Sequence, residues 1–229
     1  MNSGASAPAA NRAAAAIAAI AAIAAVVLQL LESAQRSQIF GDFHAFYCGG
    51  KAMLAHADPY AGLTLGACEA QRFGYGLYAA THGLVAPVPF PGYAFVLFSA
   101  FALLPYLASA LLWFLLTLAC TAYCAFALSR LTAQPLWLTI VLVGSAYAIA
   151  VIGLGEVAPI ALAALCGAAL AMRSQQYWPA CALLCVAAIL PHVLLPVFAA
   201  VLLFVPRARL PLIACGAVLV VIDLLIGGP

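Results

Sequence analysis

Residues 106–128 read YLASALLWFLLTLACTAYCAFAL, an apolar run without one charged side chain, set between Leu104-Pro105 and Ser129-Arg130. Such a run is long enough to cross the roughly 30 Å hydrocarbon core of a bilayer as a helix. Similar runs lie at about 88–104, 136–152, 156–172, 179–205 and 210–226. They are separated at Gly153-Leu154-Gly155-Glu156, Arg173-Ser174-Gln175-Gln176 and Pro206-Arg207-Ala208-Arg209. Hydrophobic residues make up 68% of the 229 and charged ones 6%, far below the roughly one-quarter charged content of soluble domains. The expected fold class is therefore all-α, a polytopic transmembrane helix bundle forming a single membrane domain over residues 1–229.

Working outward, the Ala/Ile run from Ala13 to Leu31 is expected to be a retained first span rather than a cleaved signal peptide; it reaches the roughly 20 residues a span needs. Residues 32–86 form the only long polar stretch. It carries the turn formers Gly41, Gly49, Gly50, Pro59 and Gly62, and His44, His56 and His82 among the histidines. From Phe43 to Ala55 apolar and polar positions alternate at roughly helical spacing, which predicts a short amphipathic helix on the membrane surface. The run 88–104 gives only about 25 Å of helix, so one helix between 88 and 128 is expected to be re-entrant or strongly tilted. The run 179–205 is either one Pro-kinked span or two half-helices hinged at Pro191. About five to seven spans result. Basic residues favour the cytoplasmic side of short loops. Placing Arg12, Arg130, Arg173, Arg207 and Arg209 there leaves the 32–86 loop, Gly153–Glu156 and Pro191-His192 together on the extracytoplasmic face.

The net charge of +2 comes from singly scattered basic residues, so no patch exists to grip a nucleic-acid backbone. Cys120 with Cys124, and Cys181 with Cys185, sit four apart inside apolar runs, where cysteine acts as a small hydrophobe on one helix face. No Cys-x-x-Cys or His-x-x-x-His occurs, and no metal site is expected. Cys48 and Cys68 both fall in the polar loop and can pair if it faces an oxidising compartment; nothing in the sequence fixes their separation.

The loop opens with Gly41-Asp42-Phe43-His44-Ala45-Phe46-Tyr47 and closes at Ala86-Pro87-Val88-Pro89-Phe90-Pro91. The chain has only six acids, and an ionised carboxylate beside hydrocarbon costs several kcal/mol unless partnered. Asp42 is either a solvated carboxylate at a helix end or a catalytic base at the membrane surface. His44 would face with Asp42 on a strand and diverge from it on a helix; it either binds substrate or is a plain interfacial histidine. Tyr47 either stacks on a sugar ring or anchors its helix among headgroups. Asp58-Pro59-Tyr60 reads as a structural turn. Lys51 and Arg72 either neutralise a lipid phosphate or are solvated.

Taken in order, Gly41-Asp42 followed by aromatics, Gly49-Gly50-Lys51-Ala52, Ala57-Asp58-Pro59-Tyr60, Pro89-Phe90-Pro91-Gly92-Tyr93, Gly155-Glu156-Val157-Ala158 and Leu190-Pro191-His192 resemble glycosyltransferase family 87. Its members are polytopic enzymes of the GT-C fold that use polyprenyl-phosphate sugars, typically mannose. The resemblance implies a multi-pass hexosyltransferase of the cell membrane, expected in the bacterial inner membrane with its active loop outside. It implies a polyprenyl-phosphate sugar donor, a glycolipid or glycan acceptor, and no cofactor or metal. Asp42 would match the general base. His44, Tyr47, Lys51, Tyr60, Glu156 and His192 would contact substrate. Three departures stand out: Leu190 occupies the position of the family's lysine, Glu156 replaces an amide, and the chain is expected to be truncated relative to the family. The alternative is a non-catalytic polytopic subunit or small-solute transporter using Glu156, His192 or Asp223.

Overall fold

The structure, a computed structural model, describes residues 41–69, 90–144 and 155–227, with a few helical positions between 16 and 28. The expected first span at 13–31 otherwise lies outside the described residues, as does much of the polar loop. The described residues form helices joined by turns, with no strand. The order is α1 (Gly41–Leu54), α2 (Gly62–Glu69), α3 (Ala94–Ala102), α4 (Tyr106–Thr132), a helical stretch at 136–144, α5 (Ala158–Arg173), α6 (Tyr177–Ala187), α7 (Pro191–Phe204), a 3-10 turn (Pro206–Ala208) and α8 (Arg209–Gly227).

Each break has a local cause. Pro105 sits outside helical geometry with φ −57° and ψ 143°; its missing N–H and ring block a helix running through it. The run 88–104 therefore yields only the nine residues of α3, about 13 Å of helix, which is too short to cross a bilayer. The 27 residues of α4 extend for about 40 Å, and the left-handed Ala133 at φ 57° ends them. The run 179–205 resolves as two half-helices, with Pro191 opening α7, a position where proline loses nothing. The two form a hairpin. The Cys181 thiol lies 3.7 Å from the Ala208 carbonyl, so the chain leaves α7 at the end where it entered α6, with residues 188–190 at the tip.

Two helices, Tyr106–Thr132 and Pro206–Ile226, are long and apolar enough to cross a membrane, with mean hydropathies of 2.1 and 2.3. Only 28% and 11% of their most apolar windows are buried. Leu107, Leu111 and Leu118 on the first, and Leu210, Leu224 and Leu225 on the second, stand exposed. The core helix of a water-soluble protein would turn such side chains inward.

Helix α1, Gly41–Leu54, starts two residues before and ends one before the expected Phe43–Ala55, and its character differs from the expectation. Every residue from Phe43 to Gly50 is buried, so this is not an amphipathic helix with one wet face. It packs along α3 and meets α4; a disulfide from Cys48 to Cys68 in α2, with Cα atoms 5.7 Å apart, closes a further side. The close approach to α3 requires glycine. A Cβ on Gly50 would collide with the Phe98 carbonyl oxygen and stand 2.9 Å from the Ser99 nitrogen. Gly50 is thus a packing residue inside a helix rather than a turn former. Gly50→Ala is expected to destabilise the fold by about 1–3 kcal/mol through overpacking, read as a lower melting temperature in detergent. An unchanged transition would mean the two backbones do not meet there.

The helices have two chemically distinct ends. At one, Arg173 Nη1 donates to the Arg130 carbonyl at 3.3 Å. There too Arg209 Nε and Nη2 donate to the Leu202 and Leu203 carbonyls at 2.8 and 3.1 Å. These guanidiniums satisfy carbonyls that helix C-termini leave without partners. At the other end lie α1, the start of α4 and Gly155.

Candidate functional site

Asp42 lies in the first turn of α1, where the helix dipole favours a negative charge. The next residue fixes its position. Phe43 is fully buried and stacks on Trp113 of α4 with ring centroids 4.9 Å apart. Trp113, itself fully buried, donates its indole N–H to the Gly155 carbonyl at 2.8 Å. Gly155 has φ 75°, a left-handed conformation that glycine adopts without a steric penalty. Glu156 follows directly on this bend. Burial first, and then the charge of Glu156, push the Asp42 carboxyl up to about 6. Two acids far apart in sequence thus share one electrostatic site at the α1 end of the molecule.

The other expected site residues fall around this pair unevenly. Because α1 is helical, His44 diverges from Asp42; it is 5% exposed, its ring set edge-on to Tyr106 at 5.1 Å. Tyr47 is buried, and its hydroxyl donates to the Leu104 carbonyl at 2.8 Å, which ties α1 to the turn between α3 and α4. Lys51 is exposed, with Nζ 5.4 Å from the centre of the Tyr47 ring. Tyr60 sits in the expected turn, its backbone N–H donating to Asp58 Oδ1 at 2.8 Å. Its hydroxyl donates to the Phe90 carbonyl at 2.6 Å. Burial, then Asp223, then Asp58, raise the Tyr60 phenol above its ordinary range, so it stays a donor. His192 is exposed at the start of α7, and no contact joins it to Asp42. Among the described residues, no three His, Cys, Asp or Glu side chains gather to hold a metal ion.

Trp113 and Gly155 connect α1 to the segment that bears Glu156, as above. Asp223, deep in α8, accepts a hydrogen bond from the Tyr93 backbone N–H at 3.2 Å. It would lie 2.8 Å from a Cβ on Gly92. An acid from one helix thereby caps the N-terminus of another, α3. The Tyr93 hydroxyl in turn donates to the Ala188 carbonyl at 2.6 Å, pinning the tip of the α6–α7 hairpin.

No family model, curated protein or solved structure matches this chain. A carboxylate with a pKa of about 6 is ionised at neutral pH yet basic enough to accept a proton from an attacking hydroxyl. Glu156→Gln removes the like charge that helps raise it. The Asp42 pKa is then expected to fall, and any activity requiring the ionised form should persist to lower pH. A pH profile measured on this variant checks the sign; a limb that stays in place would separate the two carboxylates.

Proposed function

We propose that this chain is a membrane glycosyltransferase, or the N-terminal module of one, related to glycosyltransferase family 87. It would transfer a hexose, in the first instance mannose, from a polyprenyl phosphate to an extracytoplasmic glycolipid or glycan. The observation that carries the reading is Asp42: half-buried, on a helix locked in place by aromatics, its carboxyl raised to about 6. In the reaction, Asp42 takes the proton of the acceptor hydroxyl as its oxygen bonds to the anomeric carbon. The bond from that carbon to the phosphate oxygen breaks, and the polyprenyl phosphate leaves with the electron pair. One displacement inverts the anomeric configuration. The leaving phosphate is already anionic, so no general acid is needed. His44 and Tyr47 act here mainly as walls, whereas Lys51, Glu156 and His192 remain open for contact with the donor.

Membrane embedding is supported by the outward apolar faces of α4 and α8. In this reading the apolar runs at 136–152 and 156–172 of the sequence supply further crossings, and the α6–α7 hairpin enters and leaves on one side. The arginine end is cytoplasmic by the distribution of basic residues. The α1 end is extracytoplasmic, where an oxidising compartment suits the Cys48–Cys68 bond. The test is transfer of labelled mannose from polyprenyl phosphate by reconstituted protein, with Asp42→Asn as the comparison. Equal transfer by both forms rejects the assignment.

A second reading has its own support. The half-helices α6 and α7 and the short α3 meet at Tyr93, Ala188 and Asp223, and interrupted helices around an acid are how many transporters build solute sites. A small-solute carrier would ignore a polyprenyl-phosphate sugar, so a binding measurement separates the two.

A further inference from the structure

The arginine end carries chemistry that glycosyl transfer leaves unused. A groove of about 400 Å³ opens where α6 begins and the 3-10 turn leads into α8, lined by Gln176, Tyr177, Trp178, Arg207 and Leu210 among others. The other described guanidiniums at this end are engaged: Arg173 with the Arg130 carbonyl, Arg209 with Leu202 and Leu203, and Arg130 over the Phe126 ring at 5.8 Å. Arg207 is different, being exposed and bordering the groove. No acid is among the described residues that line the groove. The described acids sit on α1, α2 and their connection, at the start of α5, or near the far end of α8, so among the described residues this positive end has no counter-charge. Trp178 is 57% exposed. An indole and a phenol beside an arginine, at the end of outward-facing apolar helices, suit the headgroup zone of a bilayer. Basic pockets between spanning helices on the cytoplasmic side take anionic headgroups.

We propose that this groove binds the phosphate headgroup of an anionic membrane phospholipid. Arg207 pairs with the phosphodiester, the Gln176 amide donates to the headgroup, and Trp178 and Leu210 pack on the glycerol and the first acyl carbons. The occupant is a lipid rather than a protein partner because the surface continuing from the groove along α8, with Leu210 72% and Ile213 57% exposed, is acyl-chain territory. The proposal rests on the membrane reading and is independent of glycosyl transfer.

The test is native mass spectrometry of the full chain released from nanodiscs of phosphatidylcholine and phosphatidylglycerol in equal parts. Retained lipid is expected to be mainly phosphatidylglycerol. Arg207→Gln should reduce its retention roughly fivefold, about the effect of one juxtamembrane cation, while Arg207→Lys keeps most of it. Trp178→Ala should weaken retention with the charge intact. Unchanged melting temperatures for the Arg207 variants are expected, since this side chain is exposed. Retention that is the same for both lipids, that survives Arg207→Gln, or that inorganic phosphate abolishes at matched ionic strength, overturns the proposal. A chain that enters nanodiscs yet shows no preference overturns it alone and leaves the membrane reading intact.

Discussion

Replacing Asp42 by asparagine is expected to reduce the proposed sugar transfer by roughly a hundred- to ten-thousandfold while raising the melting temperature at neutral pH. The two effects share one cause. Burial and the charge of Glu156 raise the Asp42 carboxyl to about 6, above the value near 4 of an unfolded chain. Between those values the folded protein binds the proton more tightly than the unfolded chain, so stability falls as pH rises through this window. Above pH 6 the ionised carboxylate is a net burden on the fold. Asparagine keeps the shape and removes the charge, so the variant should melt higher at pH 7.5, and the gap should close as pH falls towards 4. A merely solvated carboxylate would give neither the stabilisation nor its pH dependence. Thermal melts across pH, beside the transfer assay, decide between them. A variant that melts lower than the parent at pH 7.5 would mean that Asp42 holds the structure together instead.

Much of the helix pattern was legible because its signals are local. Pro105, the Gly155 region, Arg173–Gln176 and Pro206–Arg209 break apolar runs by their own backbone chemistry, and the breaks fall where those residues stand. The choice at 179–205 was not legible. A proline in an apolar run kinks a helix or opens a new one, and only the return of Ala208 to Cys181 makes the pair a hairpin. Helix α1 misled for a related reason. Its polar residues look like a wet face, yet α3, α4 and α2 surround it, and Gly50 is there to let α3 in.

The site divides in the same way. Asp42 announces itself as an acid in an acid-poor chain, and the Asp58-Pro59-Tyr60 turn follows from side-chain chemistry. That Glu156 acts on Asp42, with Trp113 bonded to the adjacent Gly155, is a tertiary relation that no spacing encodes. A tryptophan inside an apolar run was a usable hint, since a buried indole N–H needs an acceptor. Asp223 carried a similar hint as an acid in an apolar helix, but its partner at Tyr93 lies in another element.

Trp113 should therefore be the most sensitive structural position near the site. Trp113→Ala removes a fully buried ring that stacks on Phe43 and meets Phe101 edge-on at 5.3 Å; loss of that volume is expected to destabilise by about 3–5 kcal/mol. Trp113→Phe keeps most of the ring and loses the bond to the Gly155 carbonyl. A buried carbonyl without its donor is expected to cost about 1–3 kcal/mol. The two variants differ in a second readout. If the indole N–H positions the Gly155-Glu156 bend, Trp113→Phe should move Glu156 away from Asp42 and shift the acid limb of the pH profile downward, as Glu156→Gln does. The double variant should then shift the limb no further than either single change, because both act on one interaction. Additive shifts would mean that Glu156 reaches Asp42 without help from Trp113, and that the tryptophan serves the core alone.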